Sequence, residues 1–208
     1  MTAALHPAPT GLNDFFSSTG VAVIEHAVSR IDIARMDAVF PNLGPRTAGA
    51  RAADFTPQTR DWLMQHEGLA ELATSLARIP MRLSRLQAFD KSPSANWFVP
   101  WHQDRAEDGR DRPCAELARM VALRIHLDDC DENNGPLEAI PGSHNRGRLE
   151  SRAIAILVAQ QLPLLCLAVR GDIVAMRPLI VHRSQRARQP RTRRVLHLEY
   201  APRRHLEM

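Results

Sequence analysis

Lysine is almost absent from this chain. Lys91 is the only one among 208 residues, so the positive charge rests on arginine, and the formal net charge is +4. A net positive charge of this kind raises the question of nucleic acid. The strong preference for arginine reads as the signature of a GC-rich genome rather than of a binding surface. The stretch HRSQRARQPRTRR at 182–194 nevertheless keeps nucleic acid open as a rival partner. Aromatic residues make up only 5% of the chain, and no aromatic-rich pocket for a base and no nucleic-acid motif is visible. Cysteine is scarce as well. Cys114, Cys130 and Cys166 are odd in number, widely spaced and form no CxxC pair. That excludes a disulfide framework and fits a reduced, cytoplasmic setting. No apolar run is long enough to cross a bilayer. The segment MTAALHPAPTGLNDFF has no basic start followed by an apolar core, so a secretory leader is not expected.

What the chain does have is a 44% apolar content. That suffices for one sizeable core and not for two, and a single domain over 1–208 is expected. Leu12, Phe15 and Phe16 fall at helical spacing, and VAVI (21–24) reads as a short strand. Ser29 followed by Asp32 resembles a capping box opening a helix to about Val39. Residues 40–55 read as a loop. Thr56-Pro57 is a cap with a first-turn proline, beginning a helical stretch to about Leu76 with a break expected at Gly68. After Pro80 the period changes from helical to two. MRLSRLQAF and RMVALRIHL alternate, and LEAI, LCLAV, DIVAM and RRVLHLEYA follow between the turns ENNGP, PGS and RGD. Many short strands joined by turns imply a β-sandwich or barrel, here mainly β with a helical N-terminal third packed on it and a helical insertion near 150–161.

The stretch PWHQDR, 100–105, carries the chemistry. On an extended segment His102 and Asp104 project to one face, so one metal ion could take an imidazole nitrogen and a carboxylate oxygen from a single strand end. A third ligand must come from elsewhere, and His182, after the apolar run PLIV, is the best candidate. Two histidines and a carboxylate on one side of a metal form the facial triad of non-haem Fe(II) oxygenases. Taken alone, an H-x-D pair is as readily explained by a histidine satisfied by a nearby carboxylate.

WHQD, then NNGPLEAIPGSH (133–144), then RGDIVAMRPLIVHRSQ (170–185), then RTRRVLHLEY (191–200) occur in this order. From FFSSTGVAVIE (15–25) onward the chain resembles the phytanoyl-CoA dioxygenase family of Fe(II)- and 2-oxoglutarate-dependent oxygenases. The resemblance implies a double-stranded β-helix, a jelly-roll, cupin-like barrel braced by α-helices. It implies His102, Asp104 and His182 as iron ligands, with 2-oxoglutarate and O2 as co-substrates. Arg193 stands where the family binds the far carboxylate of 2-oxoglutarate. Arg191 and Arg194 are close enough to compete, since strand parity alone does not choose between an inward row of Arg193, Val195, His197 and Glu199 and one of Arg194, Leu196, Leu198 and Tyr200. Ser184 and, less directly, Gln87 match positions near 2-oxoglutarate. Arg124 falls where the family has pocket-facing residues, although Arg124, His126 and Asp128 would equally suit a solvated outer face. Arg124 is expected to contact the co-substrate, and His126 and Trp101 the substrate. An inward Arg124 favours an anionic ligand. Asn134-Gly135 is a tight-turn pair, and His144 reads as a loop residue holding the barrel rim.

The function these readings imply is hydroxylation of a small molecule with release of succinate and CO2. Asp104 stands where halogenases of this group carry a small residue, which favours hydroxylation or a related oxidation. The short segment 105–118 also suggests a small substrate. The rivals are a nucleic-acid dealkylating oxygenase of the same chemistry and a non-catalytic metabolite-binding barrel. No membrane partner is expected.

Overall fold

A computed structural model describes residues 11–43, the backbone of 49–51, and residues 55–104 and 112–203. The N-terminal part supplies helices α1 (Leu12–Thr19), α2 (Arg30–Val39), α3 (Pro57–Met64) and α4 (Glu67–Ala77), with strand β1 (Val21–Ile24) after α1 and β2 (Gly49–Arg51) after α2. The remainder is strands β3 (Met81–Lys91), β4 (Val99–His102), β5 (Val121–His126), β6 (Leu137–Ala139), β7 (Leu164–Cys166), β8 (Ile173–Met176), β9 (His182–Ser184) and β10 (Arg193–Pro202). Two helices interrupt them, α5 (Cys114–Leu117) and α6 (Ser151–Gln160).

Local chemistry sets the helix starts. Ser29 Oγ accepts from the Asp32 amide at 3.1 Å and donates to the Asp32 carboxylate at 2.7 Å, which caps the start of α2. Thr56 caps α3 in the same way, with Pro57 in its first turn. The helical stretch breaks at Gln65–His66 rather than at Gly68. His66 is the reason: its imidazole accepts from the Leu69 amide and starts α4, leaving Gly68 inside the first turn. Two short elements depart from the sequence reading. Strand β2 lies within the 40–55 segment read as a loop, and α5 lies between the H-x-D motif and β5.

The strands form a six-stranded sheet in the order β1-β8-β5-β10-β3-β2 and a four-stranded sheet in the order β4-β9-β6-β7, every pair antiparallel. β10 is the hub, paired on one side with β3 and on the other with β5. Its side chains alternate. Leu196, Leu198 and Tyr200 join Leu123, Ile125 and Leu86 in a core closed by Phe16 of α1, Met36 of α2, Leu63 of α3 and Leu69 of α4. On the opposite face of the large sheet, Val21, Ala122, Val174 and Met176 pack against Leu137, Ala139 and Cys166 of the small one. α6 covers the outside of the small sheet, where Ile154 and Leu157 meet Ile140 and Val181. β5, which the sequence left open as half solvated, is buried on both faces apart from partial exposure at Arg124.

Leu198 is fully buried on the helix-facing side, away from the cavity described below. Leu198→Ala is expected to lower stability by about 2–5 kcal/mol in chemical denaturation, the usual range for a large-to-small change in a packed core. A loss under about 1 kcal/mol would show that the helix layer is not the main source of stability.

Candidate metal centre and its cavity

His102 ends β4 and His182 begins β9, and the two are paired in the ladder with an irregularity between Val99 and His102. Their rings lie 4.2 Å apart. Asp104 follows β4, held by its amide to the Pro178 carbonyl at 2.9 Å. Its Oδ1 stands 3.6 Å from Nε2 of His102 and 3.6 Å from Nε2 of His182. Each Nδ1 meets a main-chain carbonyl, Pro100 at 2.8 Å and Ile180 at 3.0 Å. A carbonyl only accepts, so each Nδ1 carries a proton and each Nε2 faces the carboxylate. That is the tautomer a metal-ligating imidazole needs, fixed by the hydrogen bond on its far side. Burial drives His182 toward the neutral form, down to about 4. Burial also pushes Asp104 upward, but His182 and His102 outweigh it and hold the carboxyl well below the usual carboxylate range. Burial lowers His102 as well, but Asp104 outweighs it and holds this imidazole above its ordinary value, so a metal here would displace a proton from His102. Two imidazole nitrogens and an ionised oxygen, all within 4.8 Å of one another, suit a divalent first-row metal. Gln103, between the two motif residues, points the other way. It donates to Gly147 and Leu179 carbonyls at 2.8 and 2.6 Å and accepts from the Leu149 amide at 2.7 Å, pinning the loop.

The triad borders a cavity of about 240 Å3 between the two sheets. The polar row of β10 lines it: Arg193, His197 and Glu199. β3 adds Arg85, Gln87 and Phe89, and β5 adds Arg124. A chain of contacts crosses this wall. Arg85 donates to Glu199 at 2.9 Å, the His197 ring meets Glu199 at 3.2 Å, and Arg124 meets the other ring nitrogen of His197 at 3.2 Å. His197, Glu199 and Asp104 form a second cluster close enough to share a cation.

At the far end, Arg193 donates to the carbonyl of Gly135 and reaches Cys130 Sγ at 3.8 Å. Ser184 donates to the same carbonyl at 3.0 Å. Arg194 leaves by the opposite face, where its guanidinium takes both carboxylate oxygens of Asp128 at 2.9 and 2.7 Å. Arg191 pairs with Asp131 outside the cavity. Of the three arginines that compete in sequence, only Arg193 reaches the cavity.

The structure thus brings His102, Asp104, His182, Gln87, Arg124, Ser184 and Arg193 to one cavity. Trp101 and His126, expected to contact substrate, are not part of its wall. Next to inward-facing His102, Trp101 points outward, where its ring packs beside Ile140 and Val181 and under the Arg183 guanidinium, 4.6 Å from the ring centre. His126 shares the face of Arg124 but sits one pair deeper, opposite Val195, and burial, then Arg193, holds it down to about 3. His144 ties the 3-10 turn Ser143–Arg146 to α1 through the Ser17 carbonyl at 3.2 Å. Part of the 105–118 segment, residues 105–111, lies outside the described residues. Arg85, Phe89, Trp97 and Val99 line the cavity without having been singled out in sequence. The period-two row Arg85, Gln87, Phe89 on one face of β3 is the signal that could have found the first of them.

Comparison with known proteins agrees with this architecture. A carbocyclase from nogalamycin biosynthesis, the non-heme alpha-ketoglutarate-dependent SnoK, superposes with a TM-score of 0.79 at 18% identity, over 97% of this chain and 87% of its own. AviO1 from Streptomyces viridochromogenes Tue57 superposes with a TM-score of 0.75 at 27% identity over 98% of both chains. L-proline trans-4-hydroxylase of Streptomyces griseoviridis is 37% identical over 95 residues, which is 44% of this chain and 34% of that one. The matched stretch therefore spans about a third of this curated relative. The fold is that of the jelly-roll, non-haem iron, 2-oxoglutarate-dependent oxygenases. Within that class the chain belongs to the phytanoyl-CoA dioxygenase (PhyH) family, whose profile matches residues 16–195. The enzymes of this family use Fe(II), 2-oxoglutarate and O2.

Gly135 decides whether the far end of the cavity can form. Its φ is 64°, and a Cβ there would lie 2.5 Å from the Gln185 carbonyl oxygen and 2.9 Å from Lys91 Nζ. Gly135→Ala should therefore lower stability by more than the roughly 1–2 kcal/mol of left-handed backbone strain. Gly11→Ala, at φ 85° with nothing within 4 Å, should cost the backbone part alone. Thermal denaturation of the two variants checks this, and equal losses would show that the crowding at Gly135 is relieved without cost.

Proposed function

We propose that this protein is an Fe(II)- and 2-oxoglutarate-dependent oxygenase that hydroxylates a small polar molecule. His102, Asp104 and His182 hold the metal, and Arg193 with Ser184 holds the far carboxylate of 2-oxoglutarate. The observation that carries the reading is the pair of Nδ1–carbonyl bonds, which turn both Nε2 atoms toward the Asp104 oxygen at 3.6 Å. The second support is a buried arginine at the other end of the same cavity.

Iron and 2-oxoglutarate together supply the oxidising power by activating O2, with succinate and CO2 as by-products. The chain's own part is placement. Arg193 offers a planar guanidinium, suited to two parallel bonds to a carboxylate in a desolvated pocket. Gln87 and Arg124 lie between that end and the triad and contact the co-substrate along its length. Arg85, His197 and Glu199 present both charges on the wall near Asp104, which favours a small polar substrate and leaves little room for a bulky one. The partial likeness to a proline hydroxylase supports a substrate of that size. The arginines of 182–194 offer less to nucleic acid than their number suggests. Arg183 pairs with Glu138, Arg191 with Asp131 and Arg194 with Asp128, while Arg193 is buried. Among the described residues no helix is long and apolar enough to cross a membrane.

Purified protein should bind one Fe(II) and form succinate slowly from 2-oxoglutarate even without substrate. His102→Ala and Asp104→Ala should abolish both tight iron binding and succinate formation. Arg193→Ala should weaken 2-oxoglutarate binding by about 2–5 kcal/mol, on the order of tens to thousands in affinity. Arg194→Ala should change it by less than about 1 kcal/mol. Anaerobic titration, followed by the visible absorption of the Fe(II)–2-oxoglutarate complex, measures each variant. Iron binding that survives loss of His102 and of Asp104 would refute the triad, and binding with no succinate formed would leave a metabolite-binding barrel instead.

A further inference from the structure

A buried acid with an oxygen to spare stands on the wall beside Asp104. Glu199 of β10 is 6% exposed and lines the cavity. Its Oε1 accepts from Arg85 at 2.9 Å and from the His197 ring at 3.2 Å. Its Oε2 has no hydrogen-bond partner among the described residues. A bulge fixes the main chain at this point. Glu199 pairs with Arg85 and Tyr200 with Leu83, which leaves Ser84 over to donate its hydroxyl to the Glu199 carbonyl at 3.0 Å. The Arg85–Glu199 pair is buried, and a buried ion pair stabilises a fold no better than apolar residues of equal volume. Stability alone does not explain a salt bridge on this wall. A carboxylate oxygen of Glu199, an oxygen of Asp104 and a nitrogen of His197 lie within 4.8 Å of one another. The hydrogens decide what that notch can hold. A guanidinium only donates, so the His197 nitrogen that meets Arg124, Nδ1, accepts. Nε2 then carries the ring hydrogen and gives it to Glu199. His197 has no lone pair left for a metal ion, and a guanidinium touches each of His197 and Glu199. The cation that suits two carboxylates here is one that donates hydrogen bonds and accepts none, an ammonium.

We propose that Glu199 is the specificity-determining residue of this site and that the substrate is a free α-amino acid, its ammonium held by Glu199 and its carboxylate by Arg85. This rests on the assignment of the metal to His102, Asp104 and His182 and of 2-oxoglutarate to the Arg193 end. An α-amino acid carries both charges on one carbon, so an ion pair whose members touch can meet the two together. Wall and ligand then face each other with their charges alternating, and no net charge enters the cavity. The ammonium makes a charge-assisted bond with the spare Oε2, and Arg85 offers its planar fork to the carboxylate. Size agrees, since a cavity of about 240 Å3 must also take 2-oxoglutarate. Placement agrees as well. Glu199 shares its notch with Asp104, so an ammonium bound there sets the carbon chain of the amino acid beside the metal ligands, where a C–H bond is to be hydroxylated. An α-hydroxy acid of the same side chain has the carboxylate for Arg85 but no positive charge for Glu199.

Succinate formation from 2-oxoglutarate, measured with each proteinogenic L-amino acid in turn, selects the ligand. At least one of them should raise the rate well above the substrate-free one and leave a product heavier by one oxygen atom. Calorimetry with the anaerobic Fe(II)–2-oxoglutarate complex then gives affinities. The wild type should bind that amino acid about tenfold or more tighter than its α-hydroxy analogue, a comparison that needs no variant. Glu199→Gln keeps the shape and loses the charge, so affinity for the amino acid should fall about tenfold or more and affinity for the hydroxy analogue by less than about threefold. Glu199→Asp, which stays charged, should recover part of the preference. A residue that only held the wall together would shift both ligands alike. Amino acids that leave succinate formation at the substrate-free rate, a wild type indifferent between the two ligands, or a Glu199→Gln protein with the wild-type preference each overturn this inference while iron and 2-oxoglutarate still bind. A wild type that neither binds 2-oxoglutarate nor forms succinate overturns the proposed function and this inference with it.

Discussion

The alternation of side chains along β10 is the constraint on which both the core and the cavity depend. Paired on both edges, this strand cannot slip by one residue without exchanging its two rows. One row is Leu196, Leu198 and Tyr200, buried against four helices. The other is Arg193, His197 and Glu199, which would be expensive to bury against those helices and instead line the space between the sheets. Hydrophobic burial on one face therefore fixes the polar chemistry on the other. The N-terminal helices hold this register from behind.

A second device joins the two sheets at the cavity's far end. The carbonyl of Gly135, in the turn before β6, accepts from both Arg193 and Ser184. One main-chain oxygen thereby links β10 of the large sheet to β9 of the small one. The positive φ of Gly135 and the crowding that a Cβ would meet explain why glycine occupies the turn. At the opposite end, Gln103 anchors the H-x-D loop through three main-chain contacts, so that loop is also fixed from its outward side. Both ends of the cavity are held by polar contacts to the main chain rather than by apolar packing.

Much of this was legible in the sequence, for identifiable reasons. Short signals with strong local chemistry, such as the Ser29 and Thr56 caps and the strand VAVI, correspond directly to elements of the structure. The order of H-x-D, NG turn, late histidine and arginine announced the family, and the residues drawn from it converge on one cavity apart from Trp101 and His126. The misplacements have different causes. Trp101 adjoins His102 on β4, so the alternation that turns His102 into the cavity turns Trp101 out of it, and the break in β4 brings Val99 rather than Trp101 to the His102 side. For His126 the face was read correctly, but depth along the strand is set by the opposing sheet and has no local signature. Helix α4 began earlier than glycine placement suggested because a histidine, an uncommon cap, started it.

Iron is proposed to sit among His102, Asp104 and His182, with 2-oxoglutarate reaching to Arg193. Anomalous diffraction at the iron edge, from crystals grown anaerobically with Fe(II) and 2-oxoglutarate, tests it most directly. One anomalous peak is expected, bonded to both Nε2 atoms and an oxygen of Asp104, with density for a dicarboxylate running from that peak to the Arg193 guanidinium. A peak placed instead among Asp104, His197 and Glu199, or a dicarboxylate bound away from Arg193, would contradict it.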